Sequence, residues 1–85
     1  MSMIMELIQA ISTAERQIDY EISTLNVYKG KIDKVIARVQ ADFGGSGDRF
    51  GGDMLQRLQA TQKQIDDTLQ HLNQAKEKLI RVRTM

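Results

Sequence analysis

Apolar residues recur every seven positions through the first half of the chain. Every seventh residue from Ile4 to Val39 is isoleucine, leucine or valine, and a second series from Ile8 to Phe43 is apolar at four of its six positions. The two series have the spacing of the d and a positions of a heptad repeat. The pattern predicts one long α-helix, from about residue 3 to about residue 42, that buries a narrow seam against another helix.

The same register resumes in the second half of the chain. Its two series are Leu58, Ile65, Leu72 and Leu79, and Met54, Thr61, Thr68, Ala75 and Val82. Because threonine and alanine are small, a second helix with this seam can approach its neighbour closely. We therefore predict a second helix from about residue 49 to about residue 82.

A glycine-rich segment separates the two predicted helices. Residues 42–54 hold five of the six glycines of the chain. Gly44 and Gly45 permit the backbone conformations of a tight reversal, and two helices joined by a short connection lie antiparallel. We predict an all-α fold, in which residues 1–85 form one antiparallel two-helix hairpin of long, coiled-coil-like helices with its turn at residues 43–48.

The apolar stripe is wider than a seam between two helices requires. Leu7, Tyr28 and Val35 widen it on the first helix, and Leu55 and Leu69 widen it on the second. A second hairpin would remove this apolar area from water, at about 25 cal/mol per Å². We therefore predict assembly into a four-helix bundle, through a partner interface of Leu7, Ile11, Ile18, Leu25, Tyr28, Val35, Leu55 and Leu69.

The composition favours protein binding over catalysis. The chain has 85 residues, no cysteine and a formal net charge of +1, so it lacks thiolate chemistry and the strong positive charge of a nucleic-acid binder. His71 is the one histidine, and Asp66 and Asp67 point about 100° apart on a helix. We predict no enzymatic activity, cofactor, metal site or small-molecule substrate, and no partnership with nucleic acid.

A basic cluster closes the second predicted helix. Its members are Lys76, Lys78, Arg81 and Arg83. Positive charge at this end complements the helix dipole. The alternatives are a charged docking site for a protein partner and a contact with anionic lipid or nucleic acid.

The beginning of the chain has no features of a cleaved leader. The stretch MSMIMELIQAIS carries no positive charge ahead of its apolar residues, and Glu6 interrupts them. It has the pattern of the first turns of a helix rather than of a signal peptide. No stretch approaches the 18 or so apolar residues of a membrane span.

The turn resembles that of the WXG-motif (Esx-like) small proteins of type VII secretion. Phe43-Gly44-Gly45 stands where that family has Trp-x-Gly, and the similarity is closer to the WXG-like partner proteins of LXG toxins, whose turn is Phe-x-Gly followed by a second aromatic, here Phe50. Gly45, Ser46, Gly51 and Met54 fit the same pattern. The tryptophan is replaced, and the Tyr-x-x-x-Asp/Glu export signal is missing after the second helix.

The resemblance implies a non-enzymatic hairpin that acts as a partner, adaptor or secreted small protein. It would bind itself, a related hairpin or the N-terminal helical domain of a toxin, with the turn motif Phe43, Gly44, Gly45 and Phe50 at its tip. We expect it in the cytoplasm of a Gram-positive bacterium before any export. Secretion would then proceed without a cleaved signal peptide. The alternative is a structural subunit of a helical filament or secretion needle, although the chain lacks the proline-containing turn of those subunits.

Overall fold

Two long α-helices make up the computed structural model, which describes residues 2–43 and 49–85. Helix α1 is Met3–Phe43 and helix α2 is Arg49–Thr84. They pack side by side in a rod that measures 66 × 15 × 14 Å. The all-α, two-helix architecture predicted from the heptads is confirmed, whereas the four-helix bundle concerns assembly and stays a prediction.

Helix α1 begins at a serine cap. The backbone N–H of Met5 donates to the Ser2 hydroxyl oxygen at 3.2 Å and to the Ser2 carbonyl at 3.1 Å. Serine satisfies the otherwise unpaired amides of a first turn in this way, and Glu6 places a negative charge at the positive end of the helix dipole. The local sequence therefore fixes where α1 starts.

Side-chain hydrogen bonds join the helices along one edge and fix their register. They run from Lys29 to Asp66 at 2.6 Å, from Lys76 to Asp19 at 2.6 Å and from Gln62 to Asp33 at 2.5 Å. The midpoint of each pair along the chain falls between residues 47 and 48. All three contacts therefore belong to one antiparallel register, and we call these six residues the polar edge.

The core is thin and lies in the half of the rod nearer the turn. Ile32, Ile36 and Ile65 are buried, with 6–8% of their surface exposed. Partly buried leucines pack against them: Leu25, Leu55, Leu58 and Leu69. Ile11 and Val39 are also buried, but no described side chain is fully enclosed. A pair of helices has too few layers to seal its core.

Threonines in the seam of α2 satisfy their own hydroxyl groups. Thr61 donates to the carbonyl of Arg57 at 3.0 Å, and Thr68 donates to the carbonyl of Gln64 at 2.9 Å. These bonds run back to the preceding turn of the same helix, a common arrangement for threonine. The hydroxyls thus need no partner on α1.

The first two turns of α1 extend beyond the end of α2. Because Lys76 contacts Asp19, the antiparallel register places Thr84, the last residue of α2, level with Ile11. Residues 3–10, which we call the N-terminal extension, therefore lie past the end of α2. Its large apolar side chains are exposed: Met3 by 84%, Ile4 by 68%, Met5 by 53%, Leu7 by 56% and Ile8 by 42%.

Truncation of the most buried core residue should destabilise the hairpin. We expect Ile65→Ala to lower the free energy of unfolding by about 2–4 kcal/mol, because it removes buried methyl groups and leaves a cavity between Ile32 and Ile36. Val27→Ala is the control, since Val27 is 61% exposed, and should change it by less than about 0.5 kcal/mol. Urea denaturation followed by circular dichroism measures both, and equal effects would contradict this description of the core.

Candidate partner interface

Apolar side chains border the seam of α1 on the side opposite the polar edge. Tyr28 is 51% exposed and Val35 is 46% exposed, and both occupy the g position of the heptad. They lie two turns apart on one face of the helix. We call this pair the α1 flank. Leu7 occupies the same heptad position farther along, within the N-terminal extension.

A shallow groove between the helices continues from the flank. Its lining residues are Tyr20, Glu21, Thr24, Leu25, Thr68 and Leu72. The hydroxyl of Thr24 donates to the carbonyl of Tyr20 at 2.9 Å, and that of Thr68 is also bonded within its helix. Because both hydroxyls are satisfied, the groove offers a partner mainly apolar surface and is open to water along its length.

The two edges of the hairpin are therefore chemically different. Interhelical bonds cross the polar edge, where the Lys29 and Lys76 ammonium groups each lie 2.6 Å from an aspartate of the other helix. On the other edge lie the α1 flank and the groove. A helical partner that gains affinity by burying apolar surface would dock on this second edge.

Charged residues in the second heptad series of α1, the series from Ile8 to Phe43, form two of the contacts between the helices. Lys29 and Glu15 interrupt that series, and Lys29 pairs with Asp66. The Glu15 side chain is only 14% exposed, and its Oε1 lies 3.2 Å from Nε of Arg83. At this distance the two groups form an ion pair. The N–H of Arg83 does not point at Oε1 as a hydrogen bond requires, and Oε1 has no other hydrogen-bond partner among the described residues.

Part of the basic cluster at the end of α2 forms ion pairs within the hairpin. Lys76 and Arg83 contact α1, and Arg81 lies 3.7 Å from Glu77 one turn earlier on its own helix. The sequence interpretation considered the helix dipole and outside partners but missed the bridges to α1. Glu15 at an apolar heptad position could have indicated the bridge from Arg83, since such a residue needs a partner of opposite charge nearby. The bridge from Lys76 to Asp19 joins two flanking positions and has no such signal.

The Asp66 carboxylate stabilises the protonated form of Lys29. It accepts a hydrogen bond from the Lys29 ammonium group and attracts its positive charge, which raises the pKa of Lys29 above its ordinary value. The negative charge of Asp33 acts in the same direction, while partial desolvation opposes the shift. The polar edge thus favours the charged form of this lysine.

The predicted partner interface divides into exposed and partly covered residues. Exposed members are Leu7, Tyr28 and Val35. Members that are buried or half-buried are Ile11, Ile18, Leu25, Leu55 and Leu69. Of these, Leu25, Leu55 and Leu69 pack on the core of the hairpin, so the surface offered to a partner consists mainly of the first group.

The predicted turn motif lies largely outside the described residues. Phe43 is the last residue of α1 and Phe50 is the second residue of α2. Their side chains, like Gly44 and Gly45, are not among the described parts of the structure. The role of the motif at the tip of the hairpin stays a prediction.

The described part of the chain shows no candidate metal site. His71 is exposed, and residues 2–43 and 49–85 contain no cluster of three or more histidine, aspartate or glutamate side chains that could hold a metal ion. Neither α1 nor α2, as described, combines the length and the apolar character of a membrane span.

Comparison with known proteins gives no relatives for this chain. It matches no protein-family model, no curated protein and no solved structure. A two-helix hairpin serves many functions and does not by itself indicate one. The relation to type VII secretion proteins therefore depends on the turn motif and stays a prediction.

The raised pKa of Lys29 predicts a specific loss of stability in alkali. A lysine whose pKa rises on folding stabilises the fold below its unfolded pKa of about 10.4, and this contribution disappears as the pH rises through the folded pKa. From about pH 9 to 12, the wild-type protein should therefore lose more stability than Lys29→Met. Urea denaturation at stepped pH measures the difference.

A second lysine variant controls for general effects of alkali. Lys34→Met removes an exposed lysine outside the polar edge and should keep the wild-type pH profile. If Lys29→Met also keeps that profile, Lys29 does not gain its stabilising partner on folding.

Proposed function

We propose that this chain is a non-enzymatic adaptor that works by pairing with another helical protein. The observation that carries this proposal is the position of the α1 flank on the edge away from the polar contacts, where Tyr28 lies one turn beyond Thr24 and Leu25 of an open apolar groove. Large aromatic and aliphatic side chains beside a groove are typical of surfaces that bind helices. The adaptor would present this edge to its partner.

The thin core supports the same proposal. Only five hydrophobic residues are buried in the described part of the hairpin, and small domains with few buried residues gain stability by oligomerisation. A partner that covers Tyr28 and Val35 would add apolar burial at about 25 cal/mol per Å². Binding would therefore stabilise the hairpin as well as recruit the partner.

The groove fits a helical partner that runs along the rod. Tyr28 lies between Glu21 and Lys31 on the surface of α1, and both charged residues are exposed. An apolar centre with charged residues at its margin is the usual arrangement of a protein interface. A partner hairpin laid against this edge would complete a four-helix bundle, in which each helix pair buries the exposed stripe of the other.

The turn motif supports a type VII secretion system as the setting. Phe43-Gly44-Gly45 and Phe50 resemble the turn of the WXG-like partner proteins of LXG toxins. In that setting the partner is a second copy of this chain, a related hairpin or the N-terminal helical domain of a toxin. The protein would act in the cytoplasm. Any export would take place together with its partner.

Charged substitutions on the α1 flank provide a direct test. Tyr28→Asp combined with Val35→Asp should weaken binding to the partner by at least about 100-fold, since each buries a charge in place of an apolar contact. The double variant should stay helical, because both side chains are exposed in the hairpin. Calorimetric titration with the N-terminal helical domain of an LXG toxin measures the affinity, and light scattering measures self-association.

A matched control separates the flank from the rest of the surface. Ala37→Asp changes an exposed residue on the opposite face of α1, about 160–180° round the helix from Val35 and Tyr28, and should leave binding within about twofold of the wild type. The proposal is wrong if the double variant binds as the wild type does, or if the wild-type chain pairs neither with itself nor with such a domain. An open-ended polymer of the chain alone would instead favour the filament or needle subunit.

A further inference from the structure

One layer of the hairpin core lacks a large apolar side chain. In the antiparallel register, the layers on either side of it pair large aliphatic residues: Ile32 with Ile65, and Leu25 with Leu72. The layer between them pairs Lys29 with Thr68. Each of the other layers between Glu15 and Val39 has at least one isoleucine, leucine or valine. The heptad seam is therefore incomplete at this one level of the rod.

The side chains of this layer leave it open on the groove side. Lys29 extends its ammonium group to Asp66 on the polar edge, at 2.6 Å. Thr68 is short, and its hydroxyl donates to the carbonyl of Gln64 on its own helix. The groove described above lies over this layer, with a cavity volume of about 280 Å³. The groove is thus the place that a large core side chain of α1 or α2 would otherwise fill.

The lining of the groove is apolar apart from one carboxylate. Leu25 and Leu72 form its walls, and the hydroxyls of Thr24 and Thr68 are bonded within their own helices. Glu21 is the one charged residue of the lining. It is exposed and makes no ion pair with another described residue. A group that fits this groove is therefore apolar, with a positive charge beside it.

We infer that the groove is a socket for one large apolar side chain, leucine or phenylalanine, of a partner helix, and that a lysine or arginine one turn away on that helix pairs with Glu21. This inference rests on the proposed function, in which a helical partner docks on this edge, and it names the residues that the partner brings. In coiled coils, a side chain of one helix packs into a hole formed by residues of its neighbours. Here the partner supplies the side chain that the layer of Lys29 and Thr68 lacks.

The size and place of the socket fit this occupant. A volume of about 280 Å³ is at the lower end for a small-molecule site and suits a single side chain. Tyr28 lies one turn beyond Thr24 and Leu25, so a helix that fills the socket also covers the α1 flank. Binding energy at protein interfaces concentrates in such pockets beside aromatic residues.

Filling the socket from within the hairpin tests the inference. Thr68→Leu places a large side chain in the open layer, and leucine also favours a helix more than threonine does. The variant should resist urea better than the wild type, yet its affinity for the N-terminal helical domain of an LXG toxin should fall by at least about 10-fold in calorimetric titration. Glu21→Lys should also weaken binding and reduce its dependence on salt.

Ser23→Leu is the matched control for the added leucine. Ser23 is exposed and lies about 140° round α1 from Tyr28, so this variant should bind within about twofold of the wild type. If Thr68→Leu binds as the wild type does, while the double variant of the α1 flank does not bind, the socket is overturned and the proposed function stands.

A small probe tests the socket without any partner protein. Toluene stands in for a phenylalanine side chain, and NMR of the full chain with labelled leucine methyl groups reports where it binds. Toluene should shift the methyl signals of Leu25 and Leu72 and leave those of Leu58, nearer the turn, in place. Thr68→Leu should abolish these shifts. Shifts that are absent from the wild type, or that survive Thr68→Leu, overturn the inference whether or not a toxin domain binds the chain.

Discussion

The single antiparallel register between α1 and α2 determines every other feature of this structure. Heptad seams alone permit helices to slip by a whole repeat, because each layer of isoleucine and leucine resembles the next. The polar edge removes that freedom, since Lys29 contacts an aspartate of α2, Lys76 and Gln62 contact aspartates of α1, and all three contacts are satisfied together in one alignment. Exposed ion pairs add little to stability, so their main contribution here is to specify the alignment.

This register gives the hairpin surfaces of different chemical character. One edge holds the bonds between the helices, the other exposes Tyr28 and Val35 beside an apolar groove, and the first two turns of α1 extend past α2. A rod only two helices thick cannot enclose these side chains by itself. The hairpin therefore presents apolar surface in a defined geometry, and we propose that association with another helical protein covers it.

Much of the fold could be predicted from the sequence, because the heptad period indicates which side of each helix faces another helix. The isoleucines from Ile4 onward and the glycines at mid-chain therefore predicted two long helices and a reversal. The contacts of Glu15 and Lys29 could not be predicted in the same way, because they depend on how far long side chains reach across the seam. Neither could the N-terminal extension, whose length follows from where Lys76 meets Asp19.

Distances between two spin labels test the register most directly, and the absence of native cysteine allows labels at chosen sites. Ser23, Gln59 and Asn73 are exposed; the register places Ser23 level with Asn73, whereas Gln59 lies about 21 Å farther along α2. Double electron–electron resonance gives these distances when the labelled protein is diluted with unlabelled protein. Cysteine-linked labels at residues 23 and 73 should be clearly closer to each other than labels at residues 23 and 59. Equal distances, or the reverse order, would contradict the antiparallel register and the account built on it.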